Sequence, residues 1–284
     1  MGITGNTKTI AIFGDPIGHT LSPAMHNAAF SSMGLDYIYV PFHVKPEGLK
    51  AAINGLRVLD LAGANITVPH KERVMEFLDE IDDEARKMGA VNTIVNKDGK
   101  LTGYNTDGRG FIMSLKEDAG FDPSMKRVFV CGAGGAARGI GFALASAGAR
   151  RIYFYDIDVP KRDRLVADVN SAAGREAARP SIFAPDFIKA ADLAVNATPL
   201  GMHENDPSPI PEGSFRPGQV VYDIVYNPPK TKTLLAAEAA GAKAVNGLGM
   251  LLYQGVLAFE HWLGRTPPAD VMRDALKAGL KGVR

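Results

Sequence analysis

Short apolar runs alternate with segments whose apolar residues recur at helical spacing, almost from the start of the chain. Residues 9–13, 36–44, 64–68, 128–131, 151–156, 192–196 and 220–226 read as strands, most of them closed by Gly, Pro, Asp or Asn. Residues 23–30, 47–56, 135–147 and 161–173 read as helices. So does the segment opened by Pro69 and Lys71, where Val74, Phe77, Leu78 and Ile81 share one helical face. A weaker strand is expected at 181–183. A strongly apolar helix over 250–263 and an amphipathic one over 269–280 close the chain. Asp98-Gly99 between two short strands is a hairpin signal. Strands and helices in alternation predict α/β architecture with largely parallel sheets.

At 284 residues the chain is long for one α/β unit and comfortable for two. The polar stretch 117–126 is the best linker candidate. With 46% hydrophobic and 22% charged residues and a net charge of +1, nothing in the bulk electrostatics calls for nucleic acid or a membrane surface. Cys131 is the single cysteine, so no internal disulfide framework or CxxC metal site exists. The six histidines show no metal-ligand spacing, and no metal is expected. No signal-peptide core and no run of transmembrane length are seen, so a soluble, cytoplasmic protein is expected.

The run 128–131 breaks at Gly132, and a small-residue helix follows. Gly132, Gly134 and Ala137 fill the three small positions of a G-x-G-x-x-A dinucleotide turn. The first permits the tight turn, the second lets backbone approach a pyrophosphate, and the third lets helix and strand pack closely. Gly132, Ala133, Gly134, Gly135 and Ala136 are therefore the expected phosphate cradle, at a helix N-terminus with unpaired N–H groups. Polar loops after residues 196 and 226 occupy strand C-terminal ends, where ligands bind in open α/β sheets.

Asn65, Thr67, Lys71, Asn92 and Asp107 each lie at an expected strand end or helix start. Lys71 with Asp107 would suit proton transfer at an alcohol oxygen. A solvated first-turn lysine and a simple helix N-cap serve the spacing as well, and spacing alone leaves both readings open. Thr20 and Ser22 offer two hydroxyls at a helix start, a seat for a carboxylate, unless Ser22 caps its own helix with Pro23 at the first position.

Taken together, the ordered motifs resemble the shikimate dehydrogenase family over essentially the whole chain. They are Gly14-Asp-Pro-Ile-Gly-His-Thr-Leu-Ser-Pro23, Asn65-Ile-Thr-Val-Pro-His-Lys71, Gly89-Ala-Val-Asn-Thr93, Gly103-Tyr-Asn-Thr-Asp-Gly108, Gly132-Ala-Gly-Gly-Ala-Ala-Arg138, Asn196-Ala-Thr-Pro-Leu-Gly-Met202, Asp223-Ile-Val-Tyr-Asn-Pro228 and Asn246-Gly-Leu-Gly-Met-Leu-Leu-Tyr-Gln-Gly255. The resemblance implies an N-terminal α/β substrate domain, residues 1–107 plus about 249–284, and a Rossmann-type dinucleotide-binding domain, about 108–248. The active site is expected in the cleft between them. It implies reversible NAD(P)-dependent oxidation of shikimate to 3-dehydroshikimate, with Lys71 and Asp107 catalytic. Thr20, Ser22, Asn65, Thr67, Asn92, Tyr226 and Gln254 are implied to hold the substrate. Asn196, Thr198, Pro199 and Gly249 join the glycine turn in holding the cofactor. The expected partner is a small hydroxy acid, and the expected assembly a monomer or homodimer.

Two departures bear on specificity. The family's carboxylate clamp is usually Ser-x-Ser, but here it is Thr20-Leu21-Ser22. The added methyl crowds the pocket and leaves quinate, or an otherwise altered shikimate-like acid, as the competing substrate. After the second strand of the dinucleotide unit, NADP-using members show Asn-Arg-Thr. Here Asp156-Ile157-Asp158 stands there, which favours NAD, because a carboxylate accepts from a ribose 2′-OH and repels a 2′-phosphate. Lys161, Arg162 and Arg164 follow closely and keep NADP possible. A dinucleotide-sensing regulator without catalysis is the rival class, and the presence of both Lys71 and Asp107 argues against it.

Overall fold

In the computed structural model, which describes residues 2–282, the chain divides into two units. One is Met1–Thr106 with Leu251–Arg284, the other Asp107–Met250. Residues 1, 283 and 284, within the bounds expected for the first domain, lie outside the described residues.

The first unit opens with β1 (Lys8–Gly14), α1 (Ser22–Ser32), β2 (Tyr37–His43), α2 (Leu49–Val58), β3 (Gly63–Ile66), β4 (Glu80–Ile81), α3 (Asp83–Met88), β5 (Thr93–Lys97) and β6 (Lys100–Tyr104). Its sheet is ordered β2-β1-β3-β5-β6-β4. Ile10 and Ala11 of β1 are fully buried, and a strand covered on both faces reads as a continuous apolar run rather than an alternating one. The β5–β6 turn has positive φ at Asp98 (53°) and Gly99 (84°), as a two-residue hairpin requires. β1 runs parallel to β2 and β3, while β5 is antiparallel to both β3 and β6. This departs from a purely parallel sheet and matters for the site. The antiparallel pairings bring the start of β5 and the end of β6 to the sheet edge where β3 ends.

The helix expected after Lys71 does not form. A 3-10 turn at Arg73–Phe77 gives way to β4, which pairs with β6. Val74, Phe77, Leu78 and Ile81 still pack into one core with β1, α2 and β3. Their spacing records burial, and the sheet-edge hydrogen bonds decide the backbone.

The second unit contains α4 (Asp107–Ala119), β7 (Arg127–Cys131), α5 (Gly135–Ser146), β8 (Arg151–Tyr155), α6 (Val159–Ala173), β9 (Ala178–Pro180), α7 (Pro185–Lys189), β10 (Leu193–Asn196), β11 (Val220–Asp223), α8 (Lys232–Ala239) and β12 (Lys243–Asn246). The sheet order is β12-β11-β10-β7-β8-β9, with all pairings parallel. Counted from β7, this is the doubly wound dinucleotide-binding order, with its switch point between β7 and β10. The weak strand expected at 181–183 forms three residues earlier, and Phe183 instead stacks on Tyr155 at 4.4 Å. The linker candidate 117–126 lies inside this unit. α4 packs on α5 so closely that a Cβ at Gly108 would sit 2.6 Å from the Gly139 carbonyl oxygen.

α9 (Leu248–Leu263) and α10 (Ala269–Gly282) end the chain. From Leu251 onward they belong to the first unit. There Trp262 Nε1 donates to the Ile94 carbonyl at 2.9 Å and α10 packs against α1.

Candidate functional site

A row of buried polar side chains lines the edge where β3 ends and the β5–β6 hairpin begins and ends. Asn65 Oδ1 accepts from the Tyr39 hydroxyl at 2.6 Å. Its Nδ2 donates to the Asn92 carbonyl at 3.0 Å and to Thr93 Oγ1 at 3.1 Å. The Thr93 hydroxyl donates to Asn92 Oδ1 at 2.9 Å. Asn92 in turn accepts from the Thr106 N–H at 2.9 Å and donates through Nδ2 to Thr106 Oγ1 at 3.0 Å. The next residue in the chain is Asp107, buried at the first position of α4. Two of the predicted substrate ligands, Asn65 and Asn92, are thus braced by Tyr39, Thr93 and Thr106, none of them an expected site residue. Thr93 and Thr106 fall inside family-like motifs, whereas Tyr39 belongs to none and carries only the signal of a strand.

The same unit places Thr20, Ser22, Thr67, Lys71 and Gln254. Ser22 is not the N-cap of α1. That position is Leu21, without a side-chain cap bond, and Ser22 is the first helical residue. The Thr20 hydroxyl accepts from the Ser22 N–H at 3.3 Å, and the buried Ser22 hydroxyl is a polar neighbour of the Tyr39 phenol. A turn already held by Thr20 leaves Ser22 no capping task. Lys71 is half-buried in the turn after Thr67. His70 is buried with Nε2 2.6 Å from the Val44 carbonyl, and Val91 N–H donates to the Lys71 carbonyl at 2.8 Å. The lysine therefore stands on a turn fixed from both sides. Gly14 fits beneath the Thr67 methyl, which a Cβ at that position would strike. Gln254 is half-buried on α9 and donates to the Leu251 carbonyl at 2.8 Å.

In the second unit Gly132 has φ 112°, and a Cβ there would lie 2.9 Å from the Ala197 carbonyl oxygen. Conformation and space both call for glycine. Gly134, the N-cap of α5, supplies no side-chain cap. Added Cβ atoms at Gly134 and Gly135 would meet nothing within 4 Å. The side-chain positions at the start of α5 are thus open, which leaves room for a pyrophosphate to approach the helix N-terminus. Ala137, fully buried, lets the helix lie close to β7.

The loop after β10 is shaped from within. Asn196 Nδ2 donates to Asp223 Oδ1 (2.8 Å) and the Leu200 carbonyl (3.0 Å), and its Oδ1 accepts from the Thr198 N–H (3.0 Å) and hydroxyl (2.7 Å). Thr231 donates to Asp223 Oδ2 at 2.6 Å. Burial pushes the Asp223 carboxyl above its ordinary pKa, against the opposing pull of these hydrogen bonds. Asn196 and Thr198 therefore set the loop's shape with their side chains, and Pro199 is exposed on it. Gly249 is a close-packing position: a Cβ would collide with Asp118 and Ser114 of α4. Tyr226 is half-buried, with its pKa raised by burial.

The substrate binding domain model of shikimate dehydrogenases matches residues 12–94, and the shikimate 5′-dehydrogenase C-terminal domain model matches residues 247–277. The chain is 47% identical over 281 residues to a shikimate dehydrogenase (NADP(+)) of Desulforamulus reducens, covering 96% of each chain. It belongs to the shikimate dehydrogenase family. A second such relative, the shikimate dehydrogenase (NADP(+)) of Methanopyrus kandleri, is 43% identical with 99% of each chain covered. A solved shikimate dehydrogenase in complex with NADP+ has a TM-score of 0.93 at 40% identity, with 98% of each chain covered.

Membership of this family corrects the expectation that Asp156 and Asp158 favour NAD. Both relatives carry NADP(+) in their names and the solved structure holds NADP+. The structure gives the physical reason: both carboxylates already have work in the backbone. Asp156 accepts from Ala133 N–H at 2.6 Å and from Asp158 N–H at 2.8 Å, bracing the glycine turn. Asp158 caps α6 by accepting from Lys161 N–H at 3.0 Å. An acid after β8 is here a structural brace and says little about the ribose. Among the described residues, no group of three or more His, Cys, Asp or Glu is placed to hold a metal ion. Among them too, no helix is long and apolar enough to cross a membrane.

Proposed function

We propose that this chain is an NADP(H)-dependent shikimate dehydrogenase, interconverting shikimate and 3-dehydroshikimate. The observation that carries the reading is the buried row Asn65–Thr93–Asn92–Thr106 at the end of β3. It presents polar groups beside the Lys71 turn and leads directly into Asp107. Such a row suits a ring bearing several hydroxyls, because a ligand that expels water without supplying hydroxyls leaves buried polar groups unpaired.

In the oxidative direction Lys71 accepts the proton of the reacting hydroxyl, and Asp107 hydrogen-bonds the substrate. Thr20 and Ser22 seat the carboxylate, while Asn65, Thr67, Asn92, Tyr226 and Gln254 hold the remaining polar groups. Residues 132–136 hold the dinucleotide pyrophosphate on the open first turn of α5. Lys161, Arg162 and Arg164 supply positive charge for a 2′-phosphate. NADP+, when bound, provides the hydride acceptor.

Lys71→Ala tests the assignment. General acid–base contributions of this kind are worth roughly 10²–10⁴-fold, so kcat should fall by about that factor while NADP+ affinity is kept. Near-normal turnover in the variant would remove Lys71 from the chemistry.

A further inference from the structure

An asparagine amide has two N–H donors and an oxygen with two acceptor positions. In Asn65 both donors point inward, to the Asn92 carbonyl and Thr93 Oγ1, and one acceptor position is filled by the Tyr39 hydroxyl. One acceptor position on Oδ1 remains. The sense of the amide is fixed by the Asn92 carbonyl, which can only accept. With Nδ2 turned to it, the Tyr39 hydroxyl, kept protonated by burial, donates to Oδ1.

Tyr39 is built to hold that sense. It lies on β2, with β1 between it and β3, so the Tyr39 and Asn65 side chains together bridge two strand spacings, roughly 9–10 Å from axis to axis. Its ring is 2% exposed and is clamped by His26, stacked at 4.5 Å, with Trp262 at 6.1 Å.

We propose that Tyr39 is a positioning residue that sets substrate specificity: it holds Asn65 so that the amide offers the substrate an acceptor only, selecting a ring hydroxyl that donates at that point. The inference rests on the reading of Asn65 as a substrate ligand made above. A carbonyl or ether oxygen in that place would face a lone pair and lose the contact.

The test is Tyr39→Phe, which removes one oxygen and keeps the ring stack. Kinetics are measured with shikimate and with its 4-deoxy and 5-deoxy analogues. The expected result is a loss of roughly 10-fold in kcat/KM for shikimate, carried by KM, as for a hydrogen bond of ordinary strength. KM for NADP+ stays within about 2-fold, since no dinucleotide group is touched. The loss shrinks to about 3-fold or less for one analogue, the one lacking the hydroxyl that Asn65 accepts. Equal losses on all three substrates, or none, would overturn the proposal.

A second measurement needs neither the variant nor turnover. In the unaltered protein, NMR should find the Asn65 side-chain amide protons protected from solvent exchange before ligand is added, and little shifted by shikimate. Freely exchanging protons, or protons that move strongly on shikimate binding, would show the amide acting as a donor and sink the idea. Because the ligand-free spectrum reads the amide directly, a protein that fails to oxidise shikimate refutes the functional reading while leaving the Asn65 geometry separately decided.

Discussion

His26 makes the first unit acid-sensitive by an amount the structure sets. The imidazole is fully buried, and both ring nitrogens lack a hydrogen-bond partner. It stacks on Tyr39 and packs against Phe30 and Trp262 at 6.4 and 5.3 Å between centroids. Of these rings only Tyr39 can titrate, and it stays neutral. Burial pushes the His26 pKa from 6.5 down to about 3. The folded pKa lies below the unfolded one, so the unfolded chain takes up the proton first and stability falls with pH from 6.5 to about 3. At pH 5.0 the gap below the ordinary pKa is about 1.5 units at 1.36 kcal/mol each, a loss of about 2 kcal/mol relative to pH 7.5. Trp262, the chain's single tryptophan, touches the ring and reports the unfolding of this unit in urea by its fluorescence. His26→Phe removes the titration and keeps an aromatic ring. Other groups titrate identically in both proteins, so the difference between their pH dependences isolates His26. The variant should lose about 2 kcal/mol less than the unaltered protein between pH 7.5 and 5.0. Equal losses in the two proteins would refute the reasoning.

Two substitutions probe the two units separately. Gly63→Ala would put a Cβ 2.5 Å from the Ile94 carbonyl oxygen and 2.6 Å from Trp262; the expected destabilisation is about 1–3 kcal/mol in urea unfolding, and a change under about 0.5 kcal/mol would show that the strand and helix yield freely. Gly134→Val enters the open space over the first turn of α5; NADP+ affinity measured by calorimetry should weaken by at least about 10-fold, with stability changed by about 0.5 kcal/mol or less, and unchanged affinity would place the pyrophosphate elsewhere.

Much of this molecule is legible in its sequence because its signals are local. The glycine turn at Gly132 needs one backbone conformation and one close approach, and the residue type declares both. The Asp98-Gly99 hairpin is legible for the same reason. The misreadings arise where a local signal serves a distant need. Val74, Phe77, Leu78 and Ile81 show helical spacing but answer to a shared core and to the pairing of β4 with β6. Ser22 looks like a cap, yet Thr20 has taken the turn and Ser22 is buried in the first turn of α1 near Tyr39 of β2. Asp156 and Asp158 look like ribose ligands while they brace the glycine turn and cap α6. Tyr39 carries no motif at all, because its importance comes from reaching across β1 to Asn65, and only the strand order reveals that.

The central proposal is that the polar row Asn65–Thr93–Asn92–Thr106 serves shikimate and that the second unit holds NADP. It is tested most directly by kcat/KM for shikimate and for quinate, each with NADP+ and with NAD+. The account predicts that shikimate with NADP+ gives the highest value of the four. A higher value for either NAD+ pair, or for quinate with NADP+, would contradict it.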